Sequence, residues 1–248
     1  MNDTLNGNDL CWPEVADSGL LAMTNCEIVD AGVQLPLRPP VARKAAVGAK
    51  KHFTCDIVFG LGAGEVMRLN SLTEKRVALV LLARPDVMKV ENQVPHYWID
   101  EKGSRHTHFF DLRATLVDGR RIAIMVKYDK KLEQDEFRAL IARISSQVFP
   151  AFADRVTIMT ERDLDPIELY NATLVNSVRH PDPAADDVIR DVVSKLAGAA
   201  KISDLIEHTG LGSRGFRSIA RLIGSHELKM QKPERIHHDA HVFVQRAA

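Results

Sequence analysis

The segment from Arg105 to Lys127, RHTHFFDLRATLVDGRRIAIMVK, constrains the fold more than any other part of the chain. Two apolar, strand-forming runs are separated by Asp118-Gly119, a pair that favours a tight hairpin because glycine adopts positive φ without steric cost. The hairpin carries an acid, Asp111, near the head of one strand and an ammonium, Lys127, at the tail of the next. Turn geometry decides whether the two meet. A strict two-residue turn pairs Val117 with Arg120, leaves Asp111 facing Val126 and sends Lys127 to the other sheet face. A three-residue loop with Gly119 left-handed pairs Val117 with Arg121 and sets Asp111 opposite Lys127, with Met125 sharing their face.

A second acid lies upstream in SLTEKRVALVLLARPDV, whose apolar residues at 72, 77 and 79 to 81 suit a mostly buried helix. Ser71 is its expected N-cap, and Glu74 sits three residues on, as a capping box requires. Glu74, Asp111 and Lys127 together are the minimal kit for metal-assisted phosphodiester cleavage. Asp111 would ligate Mg²⁺, a hard cation that takes oxygen ligands and keeps several waters. Lys127 would hold the attacking water and offset charge on the phosphorane, and Glu74 would ligate through water or orient the site. Each residue also has a purely structural role open to it: a snorkelling strand-end lysine, a turn-capping aspartate and a capping-box glutamate.

The 248 residues are 45% hydrophobic, enough for a substantial core in one large domain or two small ones. Lys+Arg and Asp+Glu each number 33, so no global field draws the chain to nucleic acid or membrane, and such binding must use local patches. Three widely spaced cysteines, Cys11, Cys26 and Cys55, fit a reducing compartment and exclude a thiolate zinc site. No apolar run approaches the ~20 residues of a membrane helix, so a cytoplasmic location is expected.

Residues 1–48 read as a flexible, Pro-rich arm made basic by Arg38, Arg43 and Lys44, with Lys50 and Lys51 just beyond. From His52 the pattern predicts a strand (HFTCDIVFG), a Gly-rich connection (LGAGEVMRL), the Glu74 helix, and strands VMKVENQVPHYWID, HFFDLRATLV and RRIAIMVKY. A helix over LEQDEFRALIARISSQVF and a strand RVTIMTE follow. A meander followed by a helical crossover makes residues 49–178 a mixed α/β (α+β) domain. Prolines around Asp182 mark a linker, and Asp186 and Asp187 open a new helical region. Within residues 184–246, KISDLIEHTG and GSRGFRSIARLIGSHELKMQ predict two short helices before a two-strand wing, a winged-helix-like pattern. Arg214, Arg217 and Arg221 share one face of the second helix, and Lys229, Lys232 and Arg235 lie in or near the wing. Such cations can contact DNA phosphates or be a solvated face.

Other signals are weaker. Gly60, Gly62 and Gly64 mimic a dinucleotide fingerprint but are misspaced. His237, His238 and His241 lack a zinc-site context. His106 and His108 share a strand face near Asp111. Ser145 and Ser146 have no hydrolase setting.

The order SLTEKRVALVL, VMKVENQVPHYW, RHTHFFDLRATLVDGRRIAIMVK resembles the nuclease domain of TnsA-type endonucleases, subunits of heteromeric transposases in the PD-(D/E)xK restriction-endonuclease-like superfamily. The resemblance spans roughly residues 53 to 175. It implies that Glu74 is the helical glutamate, Glu91-Asn92-Gln93 the "eQP"-like strand, Asp111 the metal-binding acid and Lys127 the lysine, with Gln93 and His108 in support. It further implies a restriction-endonuclease-like mixed sheet flanked by helices, double-stranded DNA as substrate, Mg²⁺ or Mn²⁺ as cofactor, and a DDE transposase and an AAA+ ATPase regulator as partners. Two departures stand out. Phe110 replaces the superfamily's proline, and Met125 replaces its acid or glutamine, a thioether that Mg²⁺ does not accept. The metal would then rely on Asp111, Glu74, the Val126 carbonyl and water, or an acid of the next helix, Glu133 or Glu136, would move in. The expectation is a Mg²⁺-dependent endonuclease subunit cutting at transposon ends. Its rivals are a catalytically degenerate DNA-binding or assembly protein of the same fold, and a winged-helix transcription regulator.

Overall fold

The computed structural model describes residues 34–39 and 53–244, and from residue 35 onward they belong to one compact unit. Most of the expected basic arm, Cys11, Cys26, Lys50 and Lys51 lie outside the described residues, as does the C-terminus beyond Val244. Among the described residues no helix is long and apolar enough to cross a membrane.

The chain forms a mixed α/β structure. Strands β1 (Cys55–Phe59) and β2 (Glu65–Leu69) make an antiparallel pair ahead of helix α1 (Leu72–Leu82). Strands β3 (Val87–Ile99), β4 (Arg105–Leu116) and β5 (Arg121–Val126) form the meander. Helices α2 (Asp129–Leu132) and α3 (Asp135–Ser146) then cross over to β6 (Arg155–Met159), which pairs with β5 in parallel and completes the four-stranded order β3-β4-β5-β6. Helix α4 (Pro166–Ser177) closes this half. Helix α5 (Pro183–Ser194), strand β7 (Ala200–Lys201), helices α6 (Ile202–Thr209) and α7 (Ser213–Gly224), and strands β8 (Leu228–Met230) and β9 (His241–Val244) follow, with a second sheet ordered β7-β9-β8.

Three departures from the sequence reading have physical causes. The supposed connection LGAGEVMRL contains strand β2, because Gly60, Gly62 and Gly64 all take positive φ and return the chain on β1. That loop is pinned rather than loose: Arg179 donates to the carbonyls of Gly60 and Gly62 at 3.3 and 3.1 Å. A Cβ on Gly64 would stand 2.4 Å from the Phe59 carbonyl, so only glycine fits. The single helix expected from Leu132 divides at Glu133-Gln134 into α2 and α3.

Two apolar layers sandwich the four-stranded sheet. On one side Val77, Ala78 and Leu81 of α1 pack with Val90, Leu112, Ala114, Ile124 and Val126. On the other, Ile141 and Ile144 of α3 pack with Phe110, Ala123, Met125 and Phe152. Each large aliphatic side chain so buried contributes about 1.5 to 3 kcal/mol. The C-terminal half has its own core around Ile189, Leu205, Ile219, Leu222 and Val242, with Leu174 and Val175 of α4 packed against it.

The sheet forks. The β4–β5 ladder ends at Leu112↔Ile124, whereas β3 and β4 remain paired to Ile99↔Arg105 as a free two-stranded ribbon. At the fork Gln93 has φ +50 and the β3–β4 pairing skips it and Asp111. The faces exchange there. Val90 and Leu112 point toward α1, but Val94 and Phe110, each one residue beyond the skipped position, point toward α3.

Candidate functional site

Asp111 sits at the fork, one residue past the end of the β4–β5 ladder. The hairpin loop has three residues with Gly119 left-handed at φ +86, but it spans 117 to 119: Leu116 donates to the Arg120 carbonyl, and Gly119 to that of Leu116. Arg121 therefore pairs with Thr115 rather than with Val117, which corrects both registers considered from sequence. The Asp118 carboxylate selects this turn by accepting from the Arg120 amide at 3.0 Å.

Asp111 and Lys127 meet without being opposed in a ladder. Asp111 Oδ2 accepts from the Val126 amide and from Lys127 Nζ, each at 2.8 Å. The carboxylate thus takes a backbone donor that β4 would have satisfied had the ladder continued. Lys127 Nζ also donates to the Val126 carbonyl at 2.9 Å, so the ammonium bridges two oxygens. Asp111 is nine-tenths buried and Lys127 is partly exposed, which leaves the pair open on the lysine side.

Glu74 approaches from the first turn of α1. Ser71 caps the helix by accepting from the Glu74 amide, but the Glu74 carboxylate reaches the Asn70 amide at 3.0 Å and the Ser71 hydroxyl at 3.1 Å rather than the Ser71 amide, so the expected capping box is only half formed. Burial pushes the Glu74 carboxyl up, the Asn70 amide opposes this, and the Asp111 charge raises it further. Glu74 thus lies within electrostatic reach of Asp111 and, more weakly, of Lys127, without a hydrogen bond to either among the described residues.

The remaining residues divide. His108 Nε2 and Gln93 Oε1 are buried without a hydrogen-bond partner. Burial lowers the His108 imidazole below its usual value, and it feels both Asp111 and Lys127. His96, directly across the β3–β4 ladder from His108, also has an unpartnered Nε2. The sequence reading missed His96. Met125 is fully buried among Phe110, Ile144 and Phe152, away from any open side. Neither Glu133 nor Glu136 comes to Asp111 in any hydrogen bond or ion pair among the described residues.

Among the described residues no group of three or more His, Cys, Asp or Glu side chains is arranged to hold a metal ion. The donor chemistry nonetheless fits a hard cation. Asp111 Oδ2 and the Val126 carbonyl converge on one point already filled by a cation, the Lys127 ammonium. Oxygen donors from a carboxylate and a carbonyl, completed by water, are what Mg²⁺ or Mn²⁺ accepts. Glu74 has both oxygens engaged in its cap and can contribute only through water.

The C-terminal arginines correct the sequence reading. Arg221 is not a surface cation: it donates to Asp186 at 2.6 Å and to Ser218 at 2.9 Å, with the pair almost wholly buried. Arg214 forms a bidentate pair with Asp182, both bonds 2.7 Å. Only Arg221 is thereby turned inward, toward α5; Arg214, although paired, stays more than half exposed. Arg217, Lys229 and Lys232 remain exposed, while Arg235 lies over the Tyr170 ring at 4.9 Å. The comparison with protein-family models finds no match, and neither does the comparison with curated proteins.

Proposed function

We propose that this chain is a metal-dependent DNA endonuclease subunit of the TnsA type, acting on transposon ends. The observation that carries the reading is the Asp111–Lys127 contact at the mouth of the forked sheet, with Lys127 partly exposed and Glu74 within electrostatic reach of both. Asp111 and the Val126 carbonyl would hold Mg²⁺ or Mn²⁺, with Glu74 acting through water; the ion, when bound, supplies Lewis-acid stabilisation of the phosphorane. Lys127 would then give up its bonds to Asp111 and the Val126 carbonyl and carry its charge toward the scissile phosphate, where it would offset the developing negative charge. His108, whose buried ring nitrogen has no hydrogen-bond partner, lies within electrostatic reach of Asp111 and Lys127.

The four-stranded sheet between α1 and α3 supports a restriction-endonuclease-like assignment. The helix, strand, two helices and two strands of the C-terminal half, with sheet order β7-β9-β8, support a winged-helix one. A DDE transposase and an AAA+ regulator are the partners this reading implies. One observation favours a second reading, a catalytically degenerate assembly protein: the residue standing where the superfamily has an acid or glutamine, Met125, is spent in the apolar layer with Phe110, Ile144 and Phe152 and supplies no ligand. Incubation of supercoiled and transposon-end DNA with Mg²⁺ or Mn²⁺ separates the two. Nicks made by the wild type and not by Asp111→Ala support the nuclease; identical products from both would defeat it.

A further inference from the structure

We propose that the β3–β4 ribbon beyond the fork is the duplex-gripping element of this protein, its outward face laid in the major groove beside the scissile phosphate. The inference rests on the nuclease reading for its substrate, but its geometry is independent of the chemistry at Asp111.

Past Gln93 the exchange of faces buries His96, Trp98 and His108 toward α3 and turns the alternate positions outward. Tyr97 is 57% exposed and Ile99 53%, an unusual outlay of apolar surface on a strand pair. Across the ladder Tyr97 faces Thr107 and Ile99 faces Arg105, both of them exposed. The Arg105 guanidinium lies 4.0 Å from the Tyr97 ring centroid. Stacking of this kind holds a guanidinium flat and preorganised without consuming its hydrogen-bond donors.

Charge points to the same occupant. The acids at the ribbon tip are already engaged: Asp100 accepts from the Lys102 and Ser104 amides and from His106, and Glu101 pairs with Arg143. Among the described residues no carboxylate is paired with Arg105 or Lys102. A two-stranded ribbon fits the roughly 12 Å major groove, where an arginine can read guanine and a threonine methyl can meet thymine. Arg105 and Asp111 are six positions apart on β4, roughly 20 Å of strand. That length covers about six base pairs at 3.4 Å each. In the C-terminal half Arg214 and Arg221 are paired with Asp182 and Asp186, but Arg217, Lys229 and Lys232 remain exposed, so that half is the competing cationic surface.

The test measures binding of the full chain to fluorescein-labelled duplex by anisotropy across a salt series, in EDTA so that no cleavage occurs. Arg105→Ala should weaken binding about tenfold and reduce the slope of log K against log salt by about one, and Tyr97→Ala should weaken it several-fold. Circular dichroism should show both variants folded, since both side chains are exposed. Unchanged binding by both variants, with loss in Arg217→Ala or Lys232→Ala, would overturn the ribbon proposal and leave the nuclease intact. Self-association abolished by Tyr97→Ala, with DNA binding unaffected, would overturn it in favour of a contact between copies. A wild type that fails to bind duplex overturns it together with the nuclease reading, whereas ribbon-dependent binding without Asp111-dependent cutting upholds the ribbon and removes the catalysis.

Discussion

Lys127 Nζ lies 2.8 Å from Asp111 Oδ2 and 2.9 Å from the carbonyl of its own neighbour Val126, so one ammonium closes the mouth of the forked sheet. The same Asp111 oxygen also takes the Val126 amide. Removing the carboxylate leaves an ammonium and a backbone N–H unsatisfied together. Asp111→Ala should abolish nicking and cost about 2 kcal/mol of stability, below the full loss for a buried pair because the lysine keeps some solvent. The double variant Asp111→Ala/Lys127→Met should be less destabilised than the two single losses summed. Denaturant titration of the four proteins measures the coupling, and strict additivity would mean that the pair is inconsequential.

Met125→Glu would recreate the superfamily's acid in sequence but not in space. Residue 125 points into the layer formed by Phe110, Ile144 and Phe152 and is fully buried. An unpaired carboxylate there costs several kcal/mol or forces its own protonation. The variant should melt well below the wild type and gain no cleavage. Improved metal-dependent nicking by a stably folded Met125→Glu protein would contradict the geometry described above.

Glu74 gives a pH dependence of defined sign. Its carboxyl is raised above the ordinary value of 4.5, first by burial, so the folded state holds a proton that the unfolded state releases. Stability from this group is therefore present below pH 4.5 and declines as pH rises through the folded value. Glu74→Gln keeps an acceptor for the Asn70 amide and removes the titration, so its stability should be flatter between about pH 4 and 8 than the wild type's. Parallel curves for the two proteins would show that Glu74 ionises without penalty.

How much of this was legible in the sequence follows from the range of each interaction. The Ser71 cap on α1, the meander and the left-handed Gly119 are set by residues within a few positions of one another, and patterns of that range can be read directly. The fork was not readable. A glutamine at φ +50 carries no marker in the sequence, yet Gln93 is what exchanges the faces of the ribbon and exposes Tyr97 and Arg105. The buried fate of Arg221 was hidden for another reason: its partner Asp186 lies 35 positions away on a different helix. A helical wheel shows which residues share a face but not what covers it.

Arg221 and Asp186 should behave as a structural pair. Burial works against the Asp186 carboxylate, but hydrogen bonds from Arg221 and Ser218 outweigh it and hold the group below the ordinary 3.8. Its contribution is thus present above pH 3.8 and lost as pH falls through the folded value. Arg221→Ala should cost about 3 kcal/mol by stranding that carboxylate, whereas Arg217→Ala on the exposed face should cost almost nothing. Thermal melts distinguish these outcomes; a harmless Arg221→Ala would return the side chain to the surface role first expected of it.

The junction of the two halves gives the last test. Helix α7 ends on Gly224, and a Cβ there would stand 2.3 Å from Val175 Cγ1 on α4, far inside contact distance. Alanine favours a helix over glycine by about 1 kcal/mol, so an open site would gain from the change. Here the β-branched valine is held by its own helix and cannot easily turn away. Gly224→Ala should therefore destabilise by about 1 to 3 kcal/mol, the usual cost of overpacking. Val175→Ala removes the obstructing methyls, so the pair Val175→Ala/Gly224→Ala should be more stable than the two single changes summed would give. A double-mutant cycle in denaturant reads this directly. A stabilised Gly224→Ala single variant would mean that α4 and α7 pack less closely than the two residues indicate.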